Sequence, residues 1–142
     1  MTRTRSSDVL LAFDFGFRRI GVASGNLQTR TASPVATLTV RGELPWAELD
    51  RIIDDWLPGR LVVGLPDSAL ATAVTERVQE FIIELRGRYD LPIEAVDESF
   101  TSRAASTELK DARRSGRLTT RVKKAHVDSY AACLIAEQWM RT

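Results

Sequence analysis

The spacing of apolar residues changes period once along the chain, shortly after Val40, and that change narrows the possible folds more than any other feature. Before it come three short stretches of strand character. Val9 to Phe15 (VLLAFDF) is a continuous apolar run interrupted only by Asp14, the pattern of a buried strand. Arg19 to Ser24 (RIGVAS) is a second strand, with Gly25-Asn26 as turn chemistry. Val35 to Val40 (VATLTV) alternates and is rich in β-branched residues, with Pro34 just ahead of it, where a missing N–H does least harm. Strands this close in sequence predict an antiparallel meander.

After Val40 the period becomes helical. In LPWAELDRIIDDWL, residues Leu49, Ile52, Ile53, Trp56 and Leu57 recur at three and four, and Pro58-Gly59 is expected to stop the helix. Leu61 to Leu65 is a buried strand. Ala69 to Arg88 is a helix carrying Val74, Val78, Phe81, Ile82 and Leu85 on one face, and Ile93 to Val96 is a further short strand. Thr101 or Ser102 caps a helix running to about Arg113, Ser115 to Thr120 form a loop, and Val122 to Met140 form a last helix. Strand–helix–strand units require parallel pairing with right-handed crossovers. The order therefore predicts an α/β fold whose mixed five-stranded sheet has an antiparallel β1-β2-β3 meander, then two parallel strands, flanked by helices.

The 142 residues suit a single domain over 1–142, with 1–7 as a disordered tail. With 44% apolar and 27% charged residues, disorder of the whole chain is excluded. The lone Cys133 excludes an internal disulfide and a cysteine-based metal cage, and it is expected in the core. No apolar run approaches the ~20 residues of a membrane span, and the start MTRTRSSDVLLAFDFG lacks the pattern of a signal peptide. A cytoplasmic domain with no membrane partner is expected, monomeric or weakly dimeric. Trp46, Trp56 and Trp139 are read as packing residues.

The net charge of +1 conceals an asymmetry: residues 1–31 carry +3, 32–102 carry −7, 103–124 carry +6 and 125–142 carry −1. The basic stretch that starts at Arg103 suits phosphate; an ordinary solvated helix face would look the same.

Three acidic positions stand out. Asp14 lies inside a buried apolar strand, where a carboxylate is costly unless it is paired or binds metal, and Gly16 and Gly21 around Phe17-Arg18-Arg19 allow close backbone approach. Asp97-Glu98 ends an apolar strand, where open α/β sheets place their sites, although acids there also suit a following helix N-terminus. Asp128 shares a helical face with Ala131, Ala132, Ile135 and Trp139. Carboxylates converging from three elements repel one another unless cations bridge them, and hard oxygen ligands suit Mg²⁺ or Mn²⁺.

The segments DFGFRRIGVA, LVVGLP, VDESFTS and KKAHVDSYAA stand in the order found in the RuvX (YqgF) family, and from about Val9 to Trp139 the chain resembles it. The resemblance implies the RNase H-like fold of Holliday-junction resolvases and a metal-dependent hydrolase, a two-metal nuclease acting in maturation of pre-16S rRNA ends. Asp14 matches the first-strand acid, Glu98 with Asp97 the acidic pair of the D-E-R-x-T motif, and Asp128 the acid of the last helix. Ser99 stands where the family usually has arginine, with Arg103 one turn on, and Pro66-Asp67-Ser68 replaces a longer polar loop. On this reading Asp14, Glu98 and Asp128 are catalytic and hold Mg²⁺ or Mn²⁺, with Asp97 auxiliary. Arg18, Arg19, Arg103, Lys123 and Lys124 bind nucleic acid, with precursor rRNA favoured over branched DNA. Two other classes stay open: a binding module that no longer cleaves, and a nucleotide-binding domain of the actin or sugar-kinase type, which needs a second domain to enclose ATP.

Overall fold

A computed structural model of the chain describes residues 6–65, 72–97 and 124–141, with side chains over 7–65, 73–97 and 129–141. The expected helix from Thr101 to Arg113, the loop Ser115 to Thr120, the junction Pro66-Asp67-Ser68, and Glu98, Ser99, Arg103 and Lys123 lie outside the described residues. The elements are β1 (Ser6–Phe15), β2 (Arg19–Asn26), β3 (Thr31–Thr39), α1 (Trp46–Trp56), β4 (Pro58–Leu65), α2 (Thr72–Arg88), β5 (Ile93–Asp97) and α3 (Lys124–Met140). They form a five-stranded sheet in the order β3-β2-β1-β4-β5. β1–β2 and β2–β3 are antiparallel, while β1–β4 and β4–β5 are parallel, as the change of period predicts.

Four expected boundaries move. Ser6 and Ser7, assigned to a tail, are strand residues, and Ser6 pairs with Pro58. Gly25-Asn26 is not the turn. Both residues extend β2, and the turn follows at 27–30, where the Asn26 carboxamide oxygen accepts from the backbone N–H of Gln28 at 2.9 Å and of Thr29 at 3.3 Å. Pro34 lies inside β3, not ahead of it, at a register shift opposite Val22 and Ala23. β3 is an edge strand, where a bulge tolerates the missing donor. Pro58 and Gly59 begin β4. What ends α1 is Leu57 in the left-handed conformation (φ 46°, ψ 57°), its N–H donating to the Ile53 carbonyl at 2.9 Å.

Strand alternation sorts the core into two faces. Leu11, Phe13, Phe15, Leu61, Val63 and Ile93 point to one face, covered by Leu49, Ile52 and Ile53 of α1 and by Val78, Phe81, Ile82 and Leu85 of α2. Phe81 sits at its centre, 5.0 Å from the Phe15 ring, 5.9 Å from Phe13 and 6.3 Å from Trp46. Leu10, Ala12, Val62 and Val96 point to the other face and meet Ile135, Ala136 and Met140 of α3. Small residues let this helix lie close, with Ala132 and Cys133 against Ala23. Beneath it Gly25 leaves room for Leu10, whose side chain would be 2.9 Å from any added Cβ.

Two polar clusters tie the helices down. Trp139 donates its indole N–H to Glu94, and the Arg60 guanidinium stacks 4.6 Å above the Trp139 ring. Arg88 grips Asp50 with both prongs, at 2.8 and 2.6 Å, and Tyr89 donates to the same carboxylate at 2.5 Å, joining α2 to α1. Trp46 carries Arg88 at 4.9 Å above its ring. Trp56, expected to pack, is 43% exposed at the end of α1.

Hydrogen bonds from Arg88 and then Tyr89 lower the Asp50 carboxyl to about 2. A depressed folded value means that the Asp50 share of stability is complete above the ordinary carboxylate range near pH 4 and is lost as pH falls through about 2. Melting curves between pH 5 and pH 2 should show a shallower loss for Asp50→Asn than for the unsubstituted chain, on a lower starting stability. Burial and then the nearby Glu137 push the Cys133 thiol up to about 12. A thiolate is the reactive form, so Cys133 should resist maleimide in the folded protein and react fully in denaturant, as read by intact mass.

Candidate nucleic-acid cleavage site

β1, β4 and β5 run parallel and end at one edge of the sheet, near Phe15, Leu65 and Asp97. Open α/β sheets place ligands outside such strand ends. Asp14 is the penultimate residue of β1, level with Gly21 on β2 and half-buried. Its neighbours Phe13 and Phe15 both face α1 and α2, so alternation sends the Asp14 carboxylate to the α3 face, in line with Leu10 and Ala12. The sequence places this acid near the end of the strand, next to the hairpin that leads to β2.

α3 runs antiparallel to β1. Its C-terminal end is held at the opposite edge, where Arg30 in the β2–β3 turn donates to the Met140 carbonyl at 2.6 Å. Its N-terminal end, with Lys124 and position 128, therefore lies toward the Asp14 edge. Asp128 is two turns before Ile135, about 10 Å along the axis. From Ala12 and Leu10, which meet Ile135, Asp14 is about 7–13 Å along the strand in the same direction. The backbone thus brings position 128 and Asp14 to one level. Asp97 differs. It pairs with Leu65 and alternates with Val96, which puts it on the α1–α2 face, away from Asp14. The expected auxiliary carboxylate is exposed at the strand end, on the opposite side of the sheet.

The loop after Asp14 is a tight hairpin. The Gly16 N–H donates to the Arg19 carbonyl at 2.9 Å, and Val40 N–H donates to the Arg18 carbonyl at 2.8 Å. A Cβ on Gly16 would stand 2.8 Å from the Arg19 carbonyl oxygen, so the glycine permits the closure. Arg18 is exposed at the tip. Arg19 is half-exposed and shares the Asp14 face, since it alternates with Ile20 and stands two residues from Gly21. Both arginines thus stand on the hairpin that follows Asp14.

Among the described residues no three histidine, cysteine or acidic side chains come together. Of the expected ligand set only Asp14 has a described side chain, and a carboxylate fits a hard divalent cation in donor type. The open cleft of about 540 Å³ lined by Thr37, Thr39, Arg41, Glu43, Pro45 and Glu48 lies along the β3 edge and is not the Asp14 site. Sequence reasoning passed over Phe17, which is 55% exposed at the hairpin tip; its place between Gly16 and Arg18 was the available signal.

A mixed sheet with an acid on its first strand and a helix laid across the meander is the architecture of RNase H-like resolvases. The chain matches Thermus thermophilus RuvC bound to a Holliday junction with a TM-score of 0.57 at 15% identity, covering 94% of each chain. It matches the fowlpox virus resolvase bound to Holliday junction DNA with a TM-score of 0.54 at 11% identity, covering 94% of this chain and 97% of that one. The family model described as "RuvX: Holliday junction resolvase" matches residues 8–142, and the chain belongs to this nuclease family. Its relatives include a Legionella pneumophila protein, 40% identical over 94% of this chain and 95% of its own, and a Francisella tularensis subsp. novicida protein, 35% identical over 92% and 95%. Both bear the name "Putative pre-16S rRNA nuclease". No described helix is long and apolar enough to cross a membrane.

Proposed function

We propose that this chain is a metal-dependent nuclease that hydrolyses phosphodiester bonds in structured nucleic acid, with the ends of precursor 16S rRNA as its substrate. The observation that carries the reading is Asp14, an acid on the α3 face of β1 at the edge where the parallel strands end, level with the N-terminal part of α3. Family membership and the names of the two relatives support the choice of reaction and of substrate.

Asp14, Glu98 and Asp128 are the residues that would hold Mg²⁺ or Mn²⁺, with Asp97 left to the far face. A divalent ion bound there supplies Lewis-acid polarisation of the phosphodiester and an activated water. Arg18 and Arg19 hold backbone phosphates on either side of the scissile bond, and Arg103, Lys123 and Lys124 extend the cationic track. Binding is accordingly expected to weaken steeply with salt. The chain works in the cytoplasm, where precursor rRNA is made.

Fragments carrying precursor 16S rRNA ends, unstructured RNA of equal length and a four-way DNA junction should each be incubated with Mg²⁺, Mn²⁺ or EDTA. The reading expects the precursor ends to be cut fastest, and nothing to be cut in EDTA. Fastest cutting of the junction would replace rRNA processing with junction resolution. Tight binding without cutting under either metal would leave a binding module.

A further inference from the structure

Among the described residues three large apolar side chains are conspicuously exposed: Phe17 at 55%, Trp56 at 43% and Ile83 at 66%. Trp56 and Ile83 sit on α1 and α2, the helices that cover the face opposite Asp14. Phe17 alone stands at the edge where Asp14 lies. It follows Phe13 and Phe15 at a spacing of two, and both of those pack against Phe81. The strand ends at Phe15, so the third aromatic of the series passes beyond the core.

Hairpin tips ordinarily carry Gly, Asn, Asp or Ser, because such residues suit the backbone and the water. A phenyl ring there departs from that set and presents apolar surface to solvent. The tip is also held firmly: Gly16 and Arg19 close it, and Val40 anchors the Arg18 carbonyl. A flat aromatic face on a braced support, next to Arg18 and Arg19, combines a stacking surface with phosphate ligands, as single-strand binding sites do.

We propose that Phe17 is a stacking platform for an unpaired nucleobase adjacent to the scissile phosphate, so that the site selects unpaired or splayed strands over continuous duplex. This rests on the nuclease reading for its location, but not for its test. Bases inside a duplex have both faces covered by their neighbours and offer no face to Phe17. An unpaired base offers one, whether the strand is RNA or DNA, and every base has a π-face, so the preference is for strand state and not for sequence.

The test uses the full chain in EDTA, so that binding is read without cleavage. Fluorescence anisotropy compares a labelled oligouridine, its deoxy counterpart and a blunt duplex of equal length. Phe17→Ala should weaken single-strand binding by about 5- to 150-fold, the range expected for one lost stack, and change duplex binding less than about twofold. Phe17→Trp should retain single-strand affinity. Its added fluorescence, above the background of Trp46, Trp56 and Trp139, should be quenched by the single strand and not by the duplex. Unchanged affinity of Phe17→Ala, equal losses on single strand and duplex, or no binding by the unsubstituted chain would overturn the proposal. Metal-dependent cutting with a silent Phe17→Ala sinks the platform alone, whereas a Phe17 effect without cutting sinks the nuclease reading alone.

Discussion

Asp14→Asn is expected to lower metal-dependent cleavage by at least about 10²–10⁴-fold while leaving the fold intact. The size follows from the several kcal/mol of transition-state charge stabilisation that a bound divalent ion contributes, at about 1.4 kcal/mol per decade of rate. The substitution changes charge and almost nothing in volume. Its neighbours Phe13 and Phe15 anchor β1 on the opposite face, so the strand has no reason to move. A second readout separates lost metal from lost structure. At 100 times the dissociation constant a specific ligand stabilises a protein by about 2.7 kcal/mol, which for a chain of this size raises the melting temperature by roughly 5–10 °C. The unsubstituted chain should show that rise with Mn²⁺, and Asp14→Asn should not. In EDTA the variant should melt close to the parent, since the substitution keeps the side-chain volume and leaves the apolar anchors of β1 in place. A variant that melts well below the parent in EDTA would instead give Asp14 a structural role.

Phe81→Ala should be the most damaging single truncation of the α1–α2 face. Phe81 is fully buried and contacts three other aromatic rings, two of them on β1. Replacing a buried phenylalanine by alanine typically costs about 3–5 kcal/mol, from lost transfer energy and the cavity left behind. That corresponds to roughly 10–15 °C in melting temperature here. Phe13 and Phe15 are also the supports that aim Asp14 to the other side of the sheet. Cleavage by Phe81→Ala should therefore fail at a lower temperature than cleavage by the parent, in step with its melting curve. Loss of cleavage well below the variant's own melting temperature would mean that the cavity misplaces β1 locally.

Elements set by a long apolar period were legible in the sequence, and those set by local backbone chemistry were not. α1 followed from Leu49, Ile52 and Ile53, and β4 from its apolar run, because burial dictates those spacings. The parallel half followed from strand–helix–strand order. Three of the four boundaries that moved hung on a residue with two uses. Pro58 can stop a helix or start a strand, and a left-handed Leu57 stopped the helix first. Asn26 can sit in a turn or cap one from the last strand position, and its carboxamide does the latter. Pro34 breaks an inner strand and is harmless in an edge strand with a bulge, but which strand lies at the edge is a property of the whole sheet.

The same holds for the site. Asp14 was legible because an acid in an apolar run is an anomaly on sight. The side on which each carboxylate falls was not, since it depends on the register of strands far apart in sequence. Counting from the core places Asp14 with Ala12 and Asp97 with Leu65, on opposite faces, although both stand at one edge. β1 ends at Phe15, as its apolar run predicts, and Phe17 lies past that end, exposed at the hairpin tip.

The most direct measurement is a time course of one precursor 16S rRNA end fragment with the unsubstituted chain and Asp14→Asn, purified in parallel, each in Mg²⁺, in Mn²⁺ and in EDTA. The account predicts defined cleavage by the unsubstituted chain with metal, none in EDTA, and a rate at least about 10²-fold lower for Asp14→Asn. Equal cutting by both proteins would contradict it.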